Sequence, residues 1–207
     1  VRSFLNKEID FLKKLELNGE PLTILDLEKE MEAEILFKKK KFKIRGKADR
    51  IDKVGNTLRI IDYKTGNVQP AELKIENAEI TNFEKPKPKA LQLLMYALIY
   101  SKQIRMNQSF ASKEGRLTSG ADRADFQVLS NRKGTPLPLG GVGGGLTSGI
   151  ISLRKLSKEF MPLIIGECEV ISNDSLKVFE EEMGKIISEI YNPSAPFEHN
   201  PESKYCE

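Results

Sequence analysis

The chain has 207 residues, of which 39% are hydrophobic and 30% charged, with 33 basic and 30 acidic residues and a net charge of +3. That is enough apolar material for one domain with a core, and it argues against global disorder. The longest apolar run, around Leu91–Tyr100, is too short and too polar to span a bilayer, and the first residues carry acids without the apolar stretch of a secretion signal. Two cysteines, Cys168 and Cys206, cannot make a disulfide framework, so a reducing cytoplasm and no membrane partner are expected.

In chain order, Phe4, Ile9, Phe11, Leu12 and Leu15 recur at helical spacing over residues 1–17, and Asn18-Gly19 closes that helix. Residues 24–31 read equally as a strand entry or a short helix. Ile35 and Phe37, then Phe42 and Ile44, lie on either side of Lys38, Lys39, Lys40 and Lys41, the pattern of a β-hairpin with a basic tip. A strand over 44–53, a turn at Gly55-Asn56 and a mostly apolar strand over Thr57–Tyr63 follow, the last suited to a buried central position. Residues 67–88 read as a loop ending in a Lys/Pro run. Ala90–Ser101 is apolar nearly all round and predicts a buried helix. Residues 150–153 and 161–171 read as two strands, with Cys168 in the core. An amphipathic helix over 174–191 is capped by Ser172 or Asn173 and stopped by Pro193 and Pro196. Helix, strands, helix, strands, helix predicts an α/β fold with a mixed central sheet flanked by helices.

Residues 121–149 have no sustained period and are rich in glycine, which predicts a flexible insertion within a single domain over 1–207. Leu-Thr-Ser-Gly occurs at 117–120 and again at 146–149, so removal of 121–149 would join the first copy to Ile150 without changing the local sequence.

The chemistry concentrates between Gly46 and Gly66. Two strands joined by a tight turn would lie antiparallel, so Asp49 and Asp62 could face each other, with Lys64 on the same face as Asp62. Charged groups on a buried strand are costly unless they are paired or bind a cation. Two readings stand side by side: an Asp–Lys ion pair on an edge strand, or two carboxylates and a strand carbonyl holding Mg²⁺ or Mn²⁺ beside an ammonium that acts on a phosphate.

Asp49 within Gly-Lys-Ala-Asp, Asp62-Tyr63-Lys64-Thr65-Gly66, and Gln92 with Tyr96 on the next helix resemble the PD-(D/E)XK nuclease superfamily. More narrowly, this order of a GxxD strand, a DYKTG strand and a QxxxY helix is similar to the RecB/AddB-type nuclease domains of larger helicase-nuclease repair proteins. The resemblance implies a restriction-endonuclease-like core. It makes Asp49 and Asp62 the metal-binding carboxylates, with the Tyr63 carbonyl as a further ligand, and Lys64 the catalytic lysine. Gln92 and Tyr96 would position the scissile phosphate or a water, though both could instead pack the helix on the sheet. Arg50 and Asp52 read as a supporting ion pair or a DNA contact. The implied activity is Mg²⁺- or Mn²⁺-dependent hydrolysis of DNA phosphodiesters, as an exonuclease module in repair or recombination served by a helicase-like domain or subunit. The alternative is a catalytically silent DNA-binding or scaffolding module of such a complex; an RNA-directed hydrolase ranks below both.

Lys38, Lys39, Lys40 and Lys41, continued by Lys43, Arg45 and Lys47, could track a phosphate backbone or form a solvated hairpin tip, and Lys85, Lys87 and Lys89 form a second such stretch. Relatives carry an upstream helix whose His or Glu completes the metal site. Here the one histidine, His199, lies far downstream, so Glu28, Glu30 or Glu32 could stand in, Glu28 first, with a charged surface turn as the other reading. Pro196-Phe197 followed by Cys206 resembles the start of the cysteine cluster that binds a 4Fe-4S centre in AddB-like nucleases, a centre only a longer native chain could build. A fragment of a larger protein is the expectation.

Overall fold

The computed structural model describes residues 2–80, 87–114, 145–154 and 159–194. Helix α1 (Arg2–Asn18) ends where Gly19 takes a positive φ of 67°, and only Leu15 of the helix is fully buried. Strands β1 (Leu22–Phe37) and β2 (Lys40–Val54) form one long antiparallel hairpin. Met31, Ala33 and Ile35 on β1 and Ile44 on β2 turn into the core, while the glutamates and lysines between them stay outside. The hairpin reverses in two residues, Lys38 and Lys39, with φ of 46° and 67°. Positive φ at both positions is the type I′ pattern that usually calls for Asn-Gly. For lysines it costs on the order of 1 kcal/mol each.

A second tight turn, with Gly55 at φ 54°, leads into β3 (Thr57–Lys64). Leu58, Ile60 and Ile61 are buried, as their apolar run requires, and each contributes roughly 1.5–3 kcal/mol by leaving water. Strand β3 lies in the middle of the five-stranded sheet, antiparallel to β2 and parallel to β5 (Leu146–Ser152), with the two-residue β6 (Met161–Pro162) antiparallel at the edge. Short strands β4 (Lys74–Ile75) and β7 (Ile164–Ile165) pair in a separate two-stranded sheet. Helix α2 (Pro88–Glu114) packs on β1, β2 and β5 through Leu94, Ala97, Leu98 and Ile99. Helix α3 (Asn173–Ile190) starts at Ser172, whose hydroxyl accepts from the Ser175 amide, and packs on β1 and α2. Successive side chains of β3 face opposite sides: Asp62 meets α2, and Tyr63 meets Phe4 of α1 in an edge-to-face contact at 5.8 Å. The sheet therefore lies between α1 and the α2–α3 layer.

Residues 24–31, open between strand and helix, are strand. Several expectations are corrected. The loop over 67–88 holds two 3-10 turns, Pro70–Leu73 and Asn77–Ile80, as well as β4. Strand β5 starts at Leu146, so 146–149 is sheet rather than loop, while 121–144 lies outside the described residues. All seven β5 residues are buried, and a Cβ on Gly149 would come within 2.5 Å of the Met161 carbonyl oxygen and the Phe160 ring. The single strand over 161–171 is two strands in different sheets, separated at Leu163 and followed by a turn at Gly166 with φ 62°. Cys168 is an exposed free thiol in that turn and not a core residue.

Candidate active site

The β2–β3 ladder runs from the Gly55 turn to the Arg50–Ile61 pair. One step beyond, a side chain takes over: the Tyr63 amide donates to Asp49 Oδ2 at 2.7 Å. The strands part here, and the acids that end the ladder lie at its mouth. Asp62 Oδ1 accepts from Gln92 Nε2 at 3.1 Å, and Lys64 Nζ is 2.9 Å from Asp62 Oδ2 and donates to Gln92 Oε1 at 3.0 Å. Gln92 Nε2 also donates to the Tyr96 hydroxyl at 2.7 Å. One amide on α2 thus joins Asp62 and Lys64 of β3. The polar partner that a glutamine in an apolar helix needs is this carboxylate–ammonium pair. Gly46 makes room for the arrangement, because a Cβ there would stand 3.1 Å from the Tyr96 ring. The exit from β3 is fastened to β5: the Leu153 amide donates to the Lys64 carbonyl, and the Ser152 hydroxyl to the Gly66 carbonyl.

The Asp62 side chain is only 6% exposed. Burial pushes its carboxyl above the usual range, Lys64 pulls it back, and the charge of Asp49 raises it further. Asp62 Oδ2 is met by the Lys64 ammonium alone, at 2.9 Å. Two carboxylates close enough for the charge of Asp49 to act on Asp62, one of them with a buried oxygen met only by an ammonium, offer hard-oxygen donors of the kind that suit Mg²⁺ or Mn²⁺, and a strand carbonyl could add a third. Asp49, Asp62 and Tyr63 are the residues that could hold such an ion. Among the described residues no group of three or more His, Cys, Asp or Glu converges, so no third carboxylate joins them. Glu28, expected as the extra ligand, sits on β1 at φ 53° with an exposed carboxylate paired to Lys47 at 2.6 Å. Glu32 is likewise paired outward, to Lys43 at 2.5 Å and Arg45 at 2.9 Å.

Of the two readings of Arg50, the ion pair is the one the contacts carry. Its side chain is 7% exposed, with one guanidinium nitrogen 2.9 Å from Glu8 of α1 and another 2.7 Å from Asp52. Burial works against its charge, but Glu8 and Asp52 outweigh it and hold the guanidinium above its ordinary value. Asp52 is also gripped by both nitrogens of the Arg59 fork, at 2.7 and 2.8 Å, and Arg59 lies between the rings of Phe11 and Phe160. Sequence reasoning missed Glu8, Arg59 and these rings. The available signal was an arginine in an otherwise apolar strand, which has to find a buried acid. Lys38, Lys39, Lys40 and Lys41 are exposed at the hairpin tip, and Cys206 lies outside the described residues.

A mixed sheet that carries two aspartates and a lysine where two of its strands part is the frame of a phosphodiester-hydrolysing nuclease. The family model of the PD-(D/E)XK nuclease superfamily matches residues 1–207, and the chain belongs to that superfamily. Searches of curated proteins and of solved structures returned no match. Among the described residues no helix is long and apolar enough to cross a membrane.

Proposed function

We propose that the protein is a divalent-metal-dependent DNA nuclease of the RecB/AddB type, acting on DNA ends in repair or recombination. In this reading a helicase-like domain or subunit delivers the end in the cytoplasm. The observation that supports it best is the closed set of contacts among Asp62, Lys64, Gln92 and Tyr96. Lys64 uses its ammonium on Asp62 and Gln92, which leaves an N–H to orient an attacking water or to meet a phosphate oxygen. Tyr96 accepts from Gln92, so its own hydroxyl proton remains for the phosphate. Held by Asp49, Asp62 and the Tyr63 carbonyl, Mg²⁺ or Mn²⁺ would supply charge stabilisation for the in-line displacement. Nothing in this set reads a base edge, so cleavage is largely independent of sequence.

The test is digestion of end-labelled single- and double-stranded DNA with Mn²⁺, Mg²⁺ or EDTA, beside Lys64→Ala. Metal-dependent cleavage should fall at least about 100-fold in the variant. Nucleotides released stepwise from the label support an exonuclease, and internal products an endonuclease. No cleavage by folded wild type under any metal would sink the reading. A second reading, a DNA-binding module without turnover, is favoured by the outward pairing of Glu28 and Glu32, which leaves two carboxylates to do the work of three. It predicts a metal-dependent rise in melting temperature, lost in Asp62→Ala, with no product.

A further inference from the structure

The basic run on the hairpin is not uniform. Along its shaft the cations are matched by glutamates of the facing strand: Lys41 with Glu34 at 3.0 Å, Lys43 and Arg45 with Glu32, and Lys47 with Glu28. Lys43 and Arg45 hold the Glu32 carboxyl below the usual range, and Glu28 holds Lys47 above its ordinary value. At the tip the matching stops: among the described residues no carboxylate pairs with Lys38, Lys39 or Lys40. Lys38 and Lys39 are also the two residues held at positive φ, where Asn-Gly would sit without strain. The tip is braced from behind by α3. Gly184 lets Phe37 come so close that a Cβ would meet its ring at 2.7 Å, and Phe42 packs on Tyr191 at 5.7 Å.

The shaft from Lys40 to Asp49 spans up to about 30 Å at about 3.3 Å per residue. One turn of B-DNA is about 34 Å long. We infer that the β1–β2 hairpin is a rigid arm whose tip, Lys38, Lys39 and Lys40, grips the phosphate backbone of duplex DNA about one helical turn from the Asp49–Asp62–Lys64 site. This deepens the proposed function and rests on it. The charge pattern argues for one contact at the tip rather than a continuous basic track. The bracing argues for a fixed spacing, which a stiff duplex can match and a flexible single strand cannot. The arm makes the enzyme sensitive to substrate length: duplexes shorter than about one turn cannot reach from site to tip.

The test is fluorescence anisotropy in EDTA with labelled duplexes of about 6 and about 18 base pairs, across a salt series. Wild type should bind the longer duplex at least about tenfold tighter. The triple variant Lys38→Glu, Lys39→Glu, Lys40→Glu should lose that advantage, and its log–log salt slope should shrink by about 2 to 3, at about 0.9 per phosphate contact. A second variant, Lys38→Asn with Lys39→Gly, relaxes the turn and removes two charges, so it should melt higher yet bind the long duplex more weakly. Unchanged affinity and slope in either variant, or a length advantage seen only with single strands, would overturn the arm. If the arm fails while Lys64-dependent cleavage persists, the nuclease reading stands; if wild type neither binds nor cuts any duplex, both fall.

Discussion

Two charged clusters occupy opposite faces of β3 and carry opposite mutational signatures. On the α1 face, Asp52 is wholly buried between the guanidinium groups of Arg50 and Arg59. Asp52→Ala leaves Arg59 without its counter-charge and Arg50 with Glu8 alone, and should lower unfolding free energy by about 3–5 kcal/mol in urea titrations. On the α2 face, Lys64 is partly open to solvent, so Lys64→Ala should lower the urea midpoint clearly less than Asp52→Ala does while abolishing cleavage. An equal loss of stability in both would contradict this division. On the α2 face, spacing from the tight turn put Asp62 and Lys64 on one side of a strand but left an ion pair and a metal site open, and it was the resemblance to the GxxD, DYKTG and QxxxY pattern that added Gln92 and Tyr96. The α1-face cluster was not legible, since Glu8 lies 42 residues before Arg50 and only the tertiary fold brings them together. For a related reason the sequence left Glu28 open between a metal ligand and a charged surface residue: position along β1 does not tell which way a carboxylate turns when the backbone takes a positive φ.

The 3-10 turn at Pro70–Leu73 is tied to the start of α2 by one carboxylate. Glu72 accepts from the Gln69 amide at 2.8 Å and from Lys89 Nζ at 2.5 Å. These bonds, the backbone one first, hold its carboxyl below the usual range. A depressed carboxyl contributes stability at neutral pH that is lost as pH falls through the acid range. Glu72→Gln should therefore melt lower than wild type at pH 7 and match it at pH 3, and added salt should narrow the neutral-pH gap because the group is exposed. An equal gap at both pH values would refute the linkage. The second half of β1 and the start of β2 were readable from their alternation, and β3 and the first half of α2 from their apolar runs. The beginning of β5 was not. Thr147, Ser148 and Gly149 look like loop residues, yet all three are buried, and at Gly149 the close approach of Phe160 and Met161 leaves no room for a side chain.

For the whole molecule, the parallel β3–β5 pair is the long-range join, linking residues 58–64 to 146–152. The twin Leu-Thr-Ser-Gly segments make that join testable. Deleting 121–149 presents Leu117–Gly120 directly before Ile150, with the same side chains that β5 buries. We propose that the first copy then takes the place of the second, so the shortened chain should keep its circular dichroism spectrum and melt within a few degrees of the full one. Loss of cooperative melting would show that 121–149 is integral to the domain. At the far side of the same sheet, β1 is 16 residues long, and among the described residues no strand covers its outer edge. An open edge of that length is a template for strand addition by another copy. Glu28, Glu30, Glu32 and Glu34 punctuate it, so a second β1 laid alongside would bring carboxylates against carboxylates. The charge ladder of the hairpin is thus also a guard against self-assembly. It is a guard made of charge, so replacing all four glutamates with glutamine should leave the fold in place and let copies of this chain begin to stick to one another.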